Sequence, residues 1–163
     1  VGRRRRVGRL LMITFQRECL SHTINDMKAL LAAHYAEAIE RRKRPELNVD
    51  WDWYRSVESV GMLAIVAMRD GGAMVGYAAF MVGPHPHCRQ HRVATNDVFY
   101  IKPDYRKGTH AAKLRRYCET MLRDEMNVDE IAISAERGST LQRLLELADY
   151  KELERVFSKR LRK

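Results

Sequence analysis

Val98-Phe99-Tyr100-Ile101-Lys102-Pro103-Asp104-Tyr105-Arg106-Lys107-Gly108-Thr109-His110-Ala111-Ala112-Lys113-Leu114 is the stretch on which the fold turns. A β-rich run stops at Pro103, because proline fixes its own φ and has no N–H to give a ladder. A short basic turn with one glycine follows, and then an amphipathic helix begins. This strand–turn–helix order aims backbone N–H groups and a positive helix end at one point, the arrangement by which proteins hold phosphates. Lys102, Arg106, Lys107, Lys113, Arg115 and Arg116 cluster around the turn, opposed by Asp104 alone. The local field there favours an anion.

Elements can be read outward from this stretch. Val93–Ile101 is the strand that enters the turn. Before it, Gly83–His91 reads as a loop, with Pro84 and Pro86 among His85, His87, Cys88 and His91. Met74–Val82 and the continuous apolar run Met62–Met68 are strands, the latter buried on both faces. Asp70-Gly71-Gly72 joins them as a hairpin. Asp50 caps a helix carrying Trp51, Tyr54, Val57 and Val60. Thr23 and Asp26 resemble a capping box. Ile24, Met27, Leu31, His34 or Tyr35, and Ala38 then recur at helical spacing, ending in the basic run Arg41–Arg44 before Pro45. Leu11–Phe15 is a first strand. Beyond the turn, Leu114, Tyr117 or Cys118, Met121 and Glu125 stack along one helix, with Leu122 beside them. Glu130–Ala135 is a short strand, Thr140–Ala148 a last helix and Leu153–Leu161 a final strand. The result is a mixed α/β arrangement.

At 163 residues and 45% hydrophobic content, the chain can bury a sizeable core. No apolar run approaches the roughly 20 residues that span a bilayer, and Leu10–Ile13 is too short for a secretory signal core. The expectation is a cytoplasmic protein. Cys19, Cys88 and Cys118 are scattered, with no paired spacing, and read as reduced thiols. The net charge of +9 is uneven: residues 1–11 hold five arginines and no acid, and the remainder carries 25 basic and 21 acidic residues, a net +4. Residues 1–11 therefore read as a basic extension, expected to lack order, and residues 12–163 as a single domain. The extension is either a contact for nucleic acid or a membrane surface, or an upstream in-frame addition before Met12. Against nucleic-acid binding, no helix-turn-helix or aromatic-studded strand is present.

With its Pro103–Arg106 turn, the element order resembles the GNAT superfamily of acyl-CoA-dependent N-acetyltransferases over residues 12–161. The family's loop reads Gln/Arg-x-x-Gly-x-Gly/Ala after a strand ending near Val-x-Pro. Ile101-Lys102-Pro103 matches the strand end, Arg106 the first loop position and Ala111 the last. Thr109 replaces the middle glycine, and Gly108 stands one residue earlier. That shifted glycine, with Asn96–Phe99, His85-Pro86-His87, His34-Tyr35 and Asp50–Tyr54, looks like a phage- and prophage-associated branch. The resemblance implies a mainly antiparallel central sheet with helices on both faces. It also implies acetyl-CoA as co-substrate, with no metal. Arg106, Lys107, Gly108, Thr109, His110, Ala111 and Ala112 would hold the pyrophosphate, and the Phe99, Tyr100 and Ile101 backbone would pair with the peptide-like pantetheine arm.

Acetyl transfer to an amine needs a base for the ammonium proton and a donor for the oxyanion. Asp97, where many relatives carry an acid, is the candidate base; its alternative is a loop-bonding carboxylate. By period-two spacing Asp97, Phe99 and Ile101 share one strand face. The family's usual Tyr acid falls here on Leu145; Tyr150 reads as core packing, and Tyr117 and Tyr105 are alternatives without positional support. His85, His87, Cys88 and His91 lack zinc-ligand spacing and read as loop, at most lining the acceptor pocket. His34, Tyr35, Trp51 and Tyr54 read as helix-face packing or as pocket wall. The competing reading is an inactive relative that binds CoA or a protein partner. The amine acceptor, the general acid and a homodimer interface are left open by the sequence.

Overall fold

In the computed structural model, residues 12–42, 46–159 and 161 are described. The chain divides into two units, Val1–Ile133 and Ser134–Lys163. The first holds β1 (Ile13–Glu18), α1 (Leu20–Arg42), α2 (Trp51–Ser59), β2 (Leu63–Asp70), β3 (Ala73–His85), β4 (Cys88–Ile101), a 3-10 turn at Pro103–Tyr105, α3 (His110–Met126) and β5 (Glu130–Ala132). The second holds α4 (Thr140–Glu146). The sheet runs β1-β2-β3-β4-β5 in chain order. The first three pairings are antiparallel, and β4 pairs with β5 in parallel, with α3 between them in the chain. This mixed, mainly antiparallel sheet is the expected architecture.

The apolar run of β2 serves both faces. Ala64, Val66 and Met68 pack in the cluster with Leu114, Cys118, Met121 and Leu122 of α3. Leu63, Ile65 and Ala67 pack in the cluster with Leu20, Met27 and Leu30 of α1 and, at its margin, Trp51 and Tyr54 of α2. The α3 stripe closes on buried Met126, and Glu125 is exposed. Gly71 and Gly72 both take positive φ in the β2–β3 turn, as a two-residue hairpin requires. Asp50 caps α2, its carboxylate accepting from the Trp53 N–H at 2.8 Å.

Several expectations are corrected. Gly83–His91 is not a loop: β3 and β4 continue through it as one long hairpin, pairing Pro84 with Arg92 and His85 with Cys88. The register shifts between Pro84 and His85. At such an irregularity a proline need not supply a ladder N–H. α1 starts at Leu20, so Thr23 is inside the helix, its Oγ1 donating to the Cys19 carbonyl at 3.0 Å. Asp26 accepts from Arg69 at 2.9 Å and caps nothing. The start of α1 is held by a distant group, the Glu58 carboxylate, which accepts from the Leu20 N–H at 2.6 Å. β1 extends to Glu18, which binds Arg69 at 2.7 Å. β5 and α4 are shorter than read, ending at Ala132 and Glu146. The expected strand at Leu153–Leu161 does not form. Its described residues have no regular structure, and Leu153, Val156, Phe157 and Leu161 are exposed. The expectations for residues 1–11, for Leu11 and for Lys43–Pro45 lie outside the described residues. No helix among the described residues is long and apolar enough to cross a membrane.

Candidate active site

A register shift in β4 builds the site. Val98 faces Ala79 and Asn96 faces Phe80, so Asp97 is the extra residue of a β-bulge. A bulge breaks the two-residue alternation and re-aims a side chain. Asp97 therefore does not share a face with Phe99 and Ile101, which pack in the α3-side cluster. It turns to the α1–α2 side, where its Oδ2 accepts from the Tyr54 hydroxyl at 2.5 Å. Burial, then this bond and the charge of Asp97, push the Tyr54 phenol well up from its ordinary value. Tyr54 is thereby kept as a donor. Its ring is braced by Trp51 and Trp53, with centroids 5.6 and 5.1 Å away.

Asp97 opens into a cleft of about 210 Å³. α1 contributes Leu31, His34 and Tyr35, the segment before α2 contributes Leu47 and Val49, and β4 contributes Val98 beside Asp97. His34 stacks on Tyr100 at 4.9 Å. Below the cleft wall, on β3, Tyr77 is fully buried and its hydroxyl has no hydrogen-bond partner among the described residues. Burial first, then the charges of Tyr54, Asp97 and Tyr100, push its pKa up.

The basic turn lies at the start of α3. Gly108 has φ +78, and a Cβ placed there would meet nothing within 4 Å. Thr109, the N-cap of α3, makes no side-chain capping bond, so it leaves the first-turn N–H groups unsatisfied by the usual device. His110 anchors the turn through Nδ1 to the Tyr105 carbonyl at 3.1 Å, and Ala111 and Ala112 are half-buried. Lys102, Lys107, Lys113 and Arg116 are exposed around it. Arg106 points elsewhere. Its Nε donates to the Ile101 carbonyl at 2.7 Å, and its Nη2 meets both Glu37 oxygens at 2.8 Å. The guanidinium also lies 5.4 Å from the Tyr100 ring centroid. Tyr100 donates to the same Glu37 at 2.9 Å. Burial alone would raise the Glu37 pKa, but the bonds from Arg106 and Tyr100 hold it below the usual carboxylate range.

β5 pairs with β4 only at Val93, Ala94 and Thr95. Beyond Thr95, the β5-side edge of β4 runs through Phe99 to Ile101 with no strand beside it among the described residues. On its other side β4 is held tightly to β3, where a Cβ on Gly76 would lie 2.9 Å from the Tyr100 carbonyl oxygen.

The model of the Acetyltransferase (GNAT) family matches residues 24–147. The chain belongs to this family. Solved GNAT-type structures share its fold. A ribosomal-protein-alanine N-acetyltransferase from Brucella melitensis biovar Abortus 2308 aligns with TM-score 0.69 at 19% identity, covering 91% of this chain and 99% of its own. A predicted acetyltransferase from Clostridium acetobutylicum, solved with acetyl-CoA, aligns with TM-score 0.68 at 13% identity, covering 92% and 97%. An aminoglycoside acetyltransferase from an uncultured soil metagenomic sample, solved with sisomicin, aligns with TM-score 0.71 at 11% identity, covering 92% and 97%. No curated protein matches the sequence.

Among the tyrosines of this GNAT chain, Tyr105 donates to Asp70 at 2.9 Å and Tyr117 stacks on Phe15 at 6.3 Å, so both are structural. Tyr150, in the second unit, is half-buried, and Leu145 there is buried. In the histidine-rich hairpin, His91 Nε2 bonds Glu130 at 2.9 Å and ties β4 to β5. Sequence reasoning missed three groups: Glu37 as the partner of Arg106, Tyr54 as the partner of Asp97, and the buried hydroxyl of Tyr77. Only Tyr54 had left a signal, as an aromatic on the α2 face. A larger hollow of about 390 Å³, lined by Arg17, Arg92, Glu125 and Asn127, lies at the far end of α3 from the turn. Its cations are committed, Arg17 to Glu125 at 3.3 Å and Arg92 Nε to the Met126 carbonyl at 3.1 Å.

Proposed function

We propose that this protein transfers an acetyl group from acetyl-CoA to a primary amine by direct attack. The observation that carries the reading is the bulge that lifts Asp97 out of the strand alternation and sets it in a cleft beside the unpaired edge of β4. Acetyl-CoA supplies an activated acyl thioester and two kinds of recognisable group, phosphates and a peptide-like arm. The residues present fit both. The open space over Gly108 and the uncapped N–H groups at the start of α3 suit a pyrophosphate, with Lys107 and Lys113 adding charge. The free backbone of Phe99–Ile101 suits an amide-bearing arm laid along it as an added strand.

Asp97 takes the ammonium proton, so that the amine lone pair is free to form the new C–N bond as the thioester C–S bond breaks. Tyr54 fixes the carboxylate by occupying Oδ2, leaving Oδ1 for the amine. The leaving thiolate needs no committed acid, because a thiol has a pKa of about 8.5 and departs readily. The same reading favours the cytoplasm, in keeping with the free thiols of Cys19, Cys88 and Cys118.

The test is acetyl-CoA titration by calorimetry, followed by amine-dependent thiol release, with Gly108→Trp and Asp97→Asn variants. Gly108→Trp meets no atom within 4 Å but is strained at φ +78, a cost of about 1–3 kcal/mol; once a thermal melt shows it folded, it should have lost acetyl-CoA binding. Asp97→Asn should bind acetyl-CoA normally and lose about 10²–10⁴ in kcat. Binding by the wild type with no turnover on any amine would favour the inactive-relative reading.

A further inference from the structure

The acceptor side of the cleft restricts the amine it can take, given the acetyl-transfer reading on which this inference rests. Its volume of about 210 Å³ is below the roughly 300–1,000 Å³ of sites that enclose drug-sized ligands. Among the described residues Asp97 is the one acid on its lining, and Oδ2 of Asp97 already accepts from Tyr54. The nearby acid of α1 is also engaged: both oxygens of Glu37 accept from Arg106, and one accepts from Tyr100 as well. A second ammonium group would find no further carboxylate on the described lining, so it gains nothing there in exchange for the water it gives up. Beside His34, Tyr35 and Tyr54, the wall has an aliphatic part made by Leu31, Leu47, Val49 and Val98, which rewards a hydrocarbon substituent.

We propose that the acceptor is a compact primary monoamine with an apolar substituent, and not a polycation. Its ammonium sits on Oδ1 of Asp97, and its hydrocarbon lies against Leu31, Leu47, Val49 and Val98. One carboxylate for one charge, with Glu37 already bonded to Arg106 and Tyr100, is the feature that disfavours polyamines and aminoglycosides. The volume of about 210 Å³ matches a compact substituent.

The experiment measures acetyl-CoA-dependent thiol release with isoamylamine, spermine and a hexapeptide beginning with alanine, alongside calorimetric acetyl-CoA titration of the same protein. Isoamylamine should give a kcat/KM at least tenfold above either competitor. Val49→Asp, which adds a second carboxylate at a half-buried loop position, should narrow or reverse that preference towards spermine. If acetyl-CoA binds and spermine or the peptide is the better acceptor of the wild type, the monoamine assignment fails and acetyl transfer stands. If acetyl-CoA binds and isoamylamine is not turned over, the assignment also fails. If acetyl-CoA does not bind, the transfer reading falls, and the assignment falls with it.

Discussion

Arg106 stands in the phosphate-loop motif while its side chain is engaged with Ile101 and Glu37, and its substitution separates two roles. As a phosphate ligand it would leave stability alone and carry affinity. As the clamp between the turn and α1 it would do the reverse. In Arg106→Met the bond to the Ile101 carbonyl is lost, along with the Glu37 pair and the contact with the Tyr100 ring. The pair is 43% and 35% exposed, so it belongs with surface pairs worth about 0.5–1 kcal/mol. With a hydrogen bond of about 1 kcal/mol and a cation–π contact of about 0.5 kcal/mol, the loss is about 2 kcal/mol. At about 2–4 °C per kcal/mol for a chain of this size, Tm should fall by about 4–8 °C. Glu37→Gln removes the charge of the pair and one of its two acceptor oxygens, and should lower Tm by about 1–4 °C. Thermal melts and acetyl-CoA titrations on both variants decide the matter. The expected result is a lowered Tm in each, with the Kd of Arg106→Met within about threefold of wild type. An unchanged Tm in both, with a Kd raised tenfold or more in Arg106→Met, would refute the clamp.

Tyr77→Phe should be neutral or stabilising in a denaturant titration, because a buried, unpartnered hydroxyl carries a desolvation cost of about 1–3 kcal/mol that phenylalanine does not; a clear loss of stability would mean that the hydroxyl is bonded. Arg69 hydrogen bonds, against the opposing effect of burial, hold Glu18 below the ordinary carboxylate value. The stabilisation by Glu18 is therefore present above the unfolded pKa and lost as pH falls through the folded one. Glu18→Gln should cost about 2 kcal/mol at pH 7, and the difference from wild type should shrink as the pH is lowered through the acid range. Gly76→Ala should destabilise by more than the usual glycine effect of about 1 kcal/mol, since the new Cβ meets the Tyr100 backbone at 2.9 Å; equal melting of variant and wild type would show that β3 and β4 can part there.

What the sequence made legible is local. The apolar run of β2, the Asp70–Gly72 turn, the Asp50 cap and the strand–turn–helix at Pro103–His110 each depend on residues within a few positions, and each formed. The errors share a cause. Pro84 and Pro86 suggested a loop because proline opposes a regular ladder, yet an irregular register absorbs them. The face of Asp97 was misread because a bulge is set by the partner strand, not by its own sequence. Tyr54–Asp97 and Arg106–Glu37 join residues 43 and 69 positions apart, and no spacing rule reaches that far. The apolar residues of Leu153–Leu161 gave a strand pattern, but alternation alone does not supply a pairing partner, and the described residues there have no regular structure.

The order of the sheet bears on how the protein folds. β1 is separated from β2 by α1 and α2, but β2, β3 and β4 follow one another through tight turns, so they can zip from local contacts early in folding. β5 is different: it is three residues long, parallel, and joins only after α3 has crossed over. Loop closure delays such a pairing, and a pairing of three residues gives little back. β5 should therefore dock last and open first, with amide protection well below that of β2. The joint between β4 and β5 can then breathe while the central sheet stays intact, beside the unpaired β4 edge along which the proposed function lays the arm of acetyl-CoA.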